Sequence, residues 1–359
     1  MRHSGNIEST PDTQGVGKTR QARPPIPVNL ALQGGGSHGA FTWGVLDRLL
    51  DERSLWLDGI SGTSAGAMNA AVMLSGLERG GRADAKASLE SFWRAVAQAA
   101  RLSPLQRGPL DVMLGRWCLD SSPAYLMFDL AARLWSPYSL NPHGRNPLTD
   151  LLSSHVEFER LAVSPIKLFV TATQVRTGRG RVFSNAELSP EVLLASACLP
   201  TVFHAVEIDA EEYWDGGFAG NPTITPLVRH CQSQDTILVQ INPIERDQPA
   251  RNAQAIHNRI NEISFNAPLL KELRMMALLR QVADPGHSEG RQWAQMRIHR
   301  IGTDIIENLS ASSKMLAEWS FLCMLRDKGR DAADAFLAAH AADLGQRSTL
   351  DLDVLLQGV

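Results

Sequence analysis

Apolar residues fall into short runs that alternate with stripes at helical spacing. Pro27-Val28-Asn29-Leu30-Ala31-Leu32 has the length and composition of a buried strand. After a glycine-rich break, Phe41, Val45, Leu46, Leu49 and Leu50 recur on one stripe and predict a helix over 40–52. Leu55, Trp56, Leu57 and Ile60 mark a second strand. A helix-compatible run follows from Ala67 to Leu77, and Leu89, Phe92, Trp93 and Val96 predict helix over 83–100. Residues 165–173 read as a third strand, a turn at Thr177-Gly178-Arg179-Gly180 leads into an extended piece at 181–183, and Ser189-Pro190 opens a helix through Ser196. Asp235 to Ile241 is a further buried strand. Beyond Pro243 the pattern is helical to the end, apart from Ile298 to Ile301, with Trp319, Phe321, Leu322 and Leu325 on one core stripe. Strand alternating with helix implies an α/β fold with parallel neighbours.

Two segments depart from this pattern. Residues 1–26 are polar and without periodicity, which predicts a mobile tail. The tail holds a Gly15-to-Thr19 fragment similar to part of a phosphate-binding loop, but no strand precedes it and its first glycine is missing, so no nucleotide site is expected there. Residues 101–150 carry Pro104, Pro109, Pro123, Pro137, Pro142 and Pro147, with Trp117, Tyr125, Phe128, Trp135 and Tyr138 among Leu and Met. They read as short helices and irregular pieces, forming either a lid or acyl-chain pocket or a satellite core. The expected organisation is a tail (1–26), a catalytic domain (27–243) and a mainly helical extension (244–359) packed on it. The extension could also make a homodimer or membrane contact.

Composition narrows the classes of function. The 359 residues are 44% hydrophobic and 20% charged with a net charge of −3, a globular balance with no overall basic character, so no nucleic-acid partner is expected. Four widely spaced cysteines, none in a C-x-x-C pair, speak against a zinc site or a disulfide scaffold and for a reducing compartment. No apolar run reaches membrane-spanning length and the N-terminus has no apolar signal core, so the expected location is cytoplasmic, with peripheral membrane contact left open. His and Cys are scattered and no acidic calcium loop is present. No metal and no cofactor are expected.

The chemistry concentrates at two strand-to-helix junctions. Gly62-Thr63-Ser64-Ala65-Gly66 is a G-x-S-x-G pattern between a strand and a helix. A serine there stands on a sharp turn with its hydroxyl exposed, and its neighbours must be small because the backbones crowd. The helix start turns free N–H groups and the positive end of the dipole towards it. The plainer reading is a tight Gly/Ser turn. About 25 residues earlier, Gln33-Gly34-Gly35-Gly36-Ser37-His38-Gly39 joins the first strand to the first helix. Glycines there let backbone N–H groups face an anion, either a phosphate or the oxyanion of an acyl-transfer intermediate. No acidic ribose partner is evident for a dinucleotide, and a simple βα turn is the bland alternative. One right-handed βαβ unit would set both junctions side by side at the carboxyl edge of the sheet. Asp215-Gly216-Gly217, taken alone, reads as a hairpin loop.

Together and in this order, the Gly34-Gly35-Gly36-x-x-Gly39 turn, the Gly62-x-Ser64-x-Gly66 elbow and the Asp215-Gly216-Gly217 turn resemble the patatin-like phospholipases, a family of lipid acyl hydrolases. The likeness covers roughly residues 27–243, and Ala195-Ser196-Ala197 before a proline and Asn221-Pro222 add to it. It implies a three-layer α/β/α fold with a central, mostly parallel sheet. It also implies a Ser–Asp dyad: Ser64 as nucleophile, Asp215 as base, and the N–H groups of Gly34, Gly35, Gly36 and Ser37 as oxyanion hole. His38, Gly39, Gly62, Gly66, Gly216 and Gly217 would support these turns. His38 departs from the family, which usually places Arg or Lys there; it would cap the helix or orient the loop, or titrate near neutral pH and tune the site. A base acting directly on serine needs a raised pKa, so a partly desolvated Asp215 in reach of Ser64 is expected. Two other readings remain: an α/β-hydrolase using a Ser–His–Asp triad with His230, His257, His287, His299 or His340 (or with His38 as base), and a lipid-binding module without catalysis. The substrate class is a lipid or polyester ester bond, with the compound unspecified.

Overall fold

In the computed structural model, β1 (Ile26–Leu32) leads into α1 (Gly39–Leu49), and β2 (Leu55–Gly62) into α2 (Ala65–Ala100). Five short helices, α3 (Pro109–Met113), α4 (Pro123–Leu134), α5 (Pro137–Leu140), α6 (Leu148–His155) and α7 (Phe158–Val163), precede β3 (Lys167–Gln174). Next come β4 (Gly180–Ser184), α8 (Pro190–Ser196), β5 (Val206–Ile208), β6 (Glu211–Asp215), α9 (Thr225–His230) and β7 (Asp235–Val239). The last third holds α10 (Ala253–Gln281), α11 (Glu289–Gln295), β8 (Arg297–Ile301), α12 (Asp304–Glu307) and α13 (Trp319–His340). The structure describes residue 1 and residues 24–356, except 102, 247–248, 252, 283–288 and 308. Most of the tail, including the Gly15-to-Thr19 fragment, and His287 lie outside the described residues.

The strands form one sheet in the order β5-β6-β3-β2-β1-β7-β8, with β4 also paired to β3. β1, β2, β3, β7 and β8 are parallel, β4 and β6 run antiparallel to β3, and β5 antiparallel to β6. Side-chain alternation sends the two faces of each central strand to different helical layers. Leu30, Leu32, Leu168, Val170, Ile237 and Val239 pack in the core shared with α1, α2 and α13. Ala31, Phe169, Leu238 and Ile298 pack against Leu227 of α9, Leu269, Leu273 and Met276 of α10, and Trp293 of α11. The result is a mostly parallel sheet between two helical layers.

Residues beyond 243 are built into this core. β8 pairs with β7 along its length, and Phe321, Leu322 and Leu325 of α13 are fully buried beside α1. The α1–α13 contact is close because two glycines meet there. A Cβ on Gly44 would stand 1.9 Å from the Arg326 carbonyl oxygen, and one on Gly329 2.1 Å from that of Phe41. Among the described residues no helix is long and apolar enough to cross a membrane.

Three local readings of the sequence change. The helical stretches expected at 67–77 and 83–100 are one run, α2, with non-helical backbone at Gly80 and Gly81 between them. The strand expected over 235–241 stops at Val239, because the Ile241 and Asn242 N–H groups turn to the Gln33 side chain, each at 2.9 Å. Asp215-Gly216-Gly217 is not a hairpin loop. Asp215 ends β6 and the next three residues coil into a 3-10 turn, because the Gly217 N–H bonds back to the Asp215 carboxylate at 2.7 Å.

Asp235 anchors the far, amino-terminal edge of the sheet. Its buried carboxylate accepts from Arg297 (2.6 and 3.0 Å), from His299 Nε2 (3.0 Å) and from the Gly345 N–H (2.9 Å). Burial alone would raise its pKa; these bonds outweigh it and hold the group at about 2. A carboxylate so depressed stabilises the fold above pH 4 or so and loses that effect as pH falls towards 2. Asp235→Ala, which leaves Arg297 and His299 without their acceptor, is expected to cost roughly 3–5 kcal/mol in denaturant unfolding. Its stability should also respond less than wild type to pH between about 4 and 2.

Candidate active site

The site forms where the carboxyl ends of β1 and β2 meet β6. Register sets Leu32 beside Gly62 and Gly62 beside Val170 of β3. Ser64, two residues past Gly62, is therefore level with Ala172, whose partner on β6 is Asp215. Residues 64 and 215 reach the same edge of the sheet by this pairing.

Ser64 is the residue before α2 and has φ 53°, ψ −125°, a left-handed backbone that a non-glycine residue rarely adopts. The strained turn is held from several sides. The Ser64 N–H donates to Ser196 Oγ (2.9 Å), which donates to the Thr171 carbonyl (2.7 Å). Thr63 Oγ1 donates to the Gly220 carbonyl (2.7 Å) and the Thr63 N–H to that of Leu32 (3.3 Å). Gly66 lies against the Leu32 carbonyl, which a side chain there would strike. Asn69 Nδ2 bonds the carbonyls of Gly39 and Ala65, both at 2.9 Å, tying the start of α1 to the start of α2.

The glycine turn faces Ser64 directly. A Cβ on Gly34 would stand 2.7 Å from Ser64 Cβ. Gly36 has φ +58°, and its own Cβ would meet the Lys314 carbonyl oxygen at 2.4 Å. Gly34 differs from expectation: its N–H is taken by Asn221 Oδ1 at 2.7 Å and is not free for an oxyanion. Its carbonyl accepts from Asn242 Nδ2 at 2.7 Å, so two amide side chains clamp it. No hydrogen bond among the described residues takes up the N–H groups of Gly35, Gly36 or Ser37.

His38 also departs from part of its reading. It precedes α1 but its side chain caps nothing. It is buried, with Nε2 2.7 Å from Ser313 Oγ. The Ser313 hydroxyl gives its one proton to the Ser310 carbonyl (2.6 Å), so Nε2–H donates to Ser313 and Nδ1 is left unprotonated, with no hydrogen-bond partner among the described residues. Burial first, then the charges of Lys314 and Arg246, drive its pKa well below the ordinary value. Burial and the two neighbouring cations disfavour its protonated form.

Asp215 is 3% exposed. Burial raises its carboxyl pKa to about 7, against the opposing pull of the Gly217 N–H, the Ser64 hydroxyl and the Lys314 ammonium. Gly216 packs on the Thr171 carbonyl and Gly217 on the Phe265 ring. Hydroxyl, carboxylate and N–H groups thus share one polar site, able to move a proton between oxygen atoms and to hold an anion.

The histidines of the triad reading lie elsewhere. His299 bonds Asp235 and Thr349, His340 pairs with Asp343, His230 stacks on Phe169, and His257 is exposed on α10. None bonds Ser64 among the described residues. No group of three or more His, Cys, Asp or Glu able to hold a metal is found among them either. The clamp residues Asn242, Ser313 and Lys314 carry no sequence signal, since no motif surrounds them; Ser196 and Asn221 stand out in the sequence only through the resemblance.

The sequence matches the family described as patatin-like phospholipase over residues 30–228, and the chain belongs to that family of lipid acyl hydrolases. No curated protein matches it. Among solved structures it is similar to VipD from Legionella pneumophila, at 15% identity and TM-score 0.39, covering 89% of this chain and 68% of that one. The type III effector ExoU is similar at 16% identity and TM-score 0.30, covering 87% and 54%. The ExoU–SpcU complex of the Pseudomonas aeruginosa type III secretion system gives 19%, 0.29, 94% and 66%. The chain therefore spans little more than half to two thirds of these proteins.

The buried carboxyl has a measurable consequence for stability. A folded-state pKa of about 7 against an ordinary 3.8 means that the native state resists ionisation of Asp215, and stability drains as pH rises between those values. Asp215→Asn keeps an oxygen acceptor for the Gly217 N–H and removes the charge. At pH 8 it is expected to melt at or a few degrees above wild type, the gap closing as pH falls to 4. A variant melting well below wild type at pH 8 would contradict this.

Proposed function

We propose that this protein is a serine acyl hydrolase that cleaves carboxylic ester bonds of lipids with Ser64 and Asp215. The observation that carries this reading is the strained Ser64 set against a buried carboxylate beside three backbone N–H groups that no described residue takes up. In the reaction, ionised Asp215 takes the proton of Ser64 as Oγ attacks the ester carbonyl. The N–H groups of Gly35, Gly36 and Ser37 receive the negative oxygen of the tetrahedral intermediate. Each donor of this kind is worth about 3–4 kcal/mol. Protonated Asp215 returns its proton to the departing alcohol, leaving an acyl-serine. Water, deprotonated by the same carboxylate, then attacks the acyl carbon; the second tetrahedral intermediate collapses as Asp215 gives that proton to Ser64 Oγ, releasing the fatty acid and restoring Ser64 and the carboxylate.

An apolar substrate suits the surroundings. The 101–147 segment runs from the glycine-turn side, where the Leu119 N–H bonds Ser312 Oγ (2.9 Å), to the loop after α8, where Tyr138 stacks on His204 at 4.1 Å. It exposes Leu126, Met127, Leu130, Leu134 and Trp135, and Phe218 stands exposed three residues after Asp215. Such exposed apolar surface fits contact with a lipid surface.

The test is a panel of phospholipids, acylglycerols and short esters, with products identified by mass. Ser64→Ala is expected to lose on the order of 10⁴-fold in kcat/KM and Asp215→Ala on the order of 10³-fold or more. The wild-type kcat/KM should fall on the acid side of about pH 7, since the base must be ionised. Hydrolysis unaffected by either substitution would refute the assignment.

A further inference from the structure

The C-terminal region reaches into the site at one point. Residues Ala311–Met315 form a 3-10 turn laid across the glycine turn. The Lys314 carbonyl oxygen occupies the space a Cβ on Gly36 would need, and Ser313 holds His38. The Lys314 ammonium donates to Asn242 Oδ1 at 2.8 Å, while Asn242 Nδ2 donates to the Gly34 carbonyl at 2.7 Å. A continuous chain, Lys314 to Asn242 to Gly34, thus ends on the residue packed against Ser64.

We propose that Lys314 is a positioning residue for the reaction assigned above: it locks the glycine turn through Asn242, and its charge acts across the site on the Asp215 carboxyl. The inference rests on that assignment. The neighbouring carboxylate, Glu262, does not neutralise Lys314 by contact, for it is engaged by Arg246 (2.5 Å) and Arg259 (3.1 Å), and no ion pair within 4 Å involves Lys314 among the described residues. The charged or titratable groups around it are Asp215 at the end of β6, His38 before α1, Arg246 after β7, and Arg259 and Glu262 on α10. Burial, Lys314 and Arg246 all disfavour the charged form of His38, and the Lys314 charge acts on Asp215. Burial lowers the ammonium pKa, Glu262 raises it, Arg246 lowers it, and Asp215 raises it. The reciprocal effect is that the ammonium favours the ionised form of Asp215, the form that accepts the serine proton.

The experiment measures second-order inactivation of the full chain by a fluorophosphonate between pH 5 and 9, for wild type, Lys314→Met, Lys314→Gln and Lys314→Arg, with thermal melts of each. In both neutral variants the acid limb is expected to move up by about one pH unit. Inactivation on that limb then slows roughly tenfold, while Lys314→Arg keeps the wild-type limb. Neutral variants that slow equally at every pH, with the limb unmoved, would show a merely structural role and overturn the inference. So would neutral variants that fail to fold. Wild type that is not inactivated at all would overturn the acyl-hydrolase assignment and this inference together; inactivation with an unmoved limb overturns this inference alone.

Discussion

Everything at the site depends on holding one serine in a backbone conformation it would not choose. A left-handed φ at Ser64 is unfavourable by itself, so the surrounding structure must over-determine it. It does so with bonds from α8, from the end of β1 and from the turn after β6, and with a glycine turn too close to admit any side chain at Gly34. These contacts come from segments far apart in sequence, and parallel pairing of β1, β2 and β3 brings them to one edge. The fold is thus a device for pressing two strand-to-helix junctions together. The smallness of the residues there follows from how closely the backbones meet.

Electrostatics at this edge are set by exclusion of water. Burying a lone carboxylate is unfavourable, and the structure offsets only part of that cost with one N–H, one hydroxyl and one nearby ammonium. Asp215 is left with a pKa close to neutrality, where a carboxylate is a far better proton acceptor than at its ordinary value. Asp235 shows the opposite solution at the other edge of the sheet. There a full set of donors surrounds a carboxylate and drives its pKa down to about 2. The two aspartates are both buried, and the number of partners separates a carboxyl held near 2 from one raised to about 7.

The strands and the two junctions were legible because buried strands show as apolar runs and because Gly and Ser at such junctions have few other physical uses. The turn at Asp215 was misread in isolation, since its helical coil depends on a bond between the Asp215 side chain and the Gly217 backbone that composition does not display. What lay beyond reach is the clamp on the glycine turn. His38 meets Ser313 across 275 positions, and Asn242 meets Gly34 across 208. An isolated Asn, Ser or Lys in a helical or irregular stretch carries no local pattern to mark it. For the same reason the commitment of the Gly34 N–H to Asn221 could not be foreseen from the glycines alone.

The central claim is that Ser64 is a nucleophile made reactive by the neighbouring carboxylate. Peptide mapping by mass spectrometry after treatment with a fluorophosphonate at pH 8 tests it most directly. A single adduct on Ser64 is expected in the wild-type chain and little or none in Asp215→Ala. An adduct on another residue, or equal labelling of Ser64 with and without the carboxylate, would contradict it.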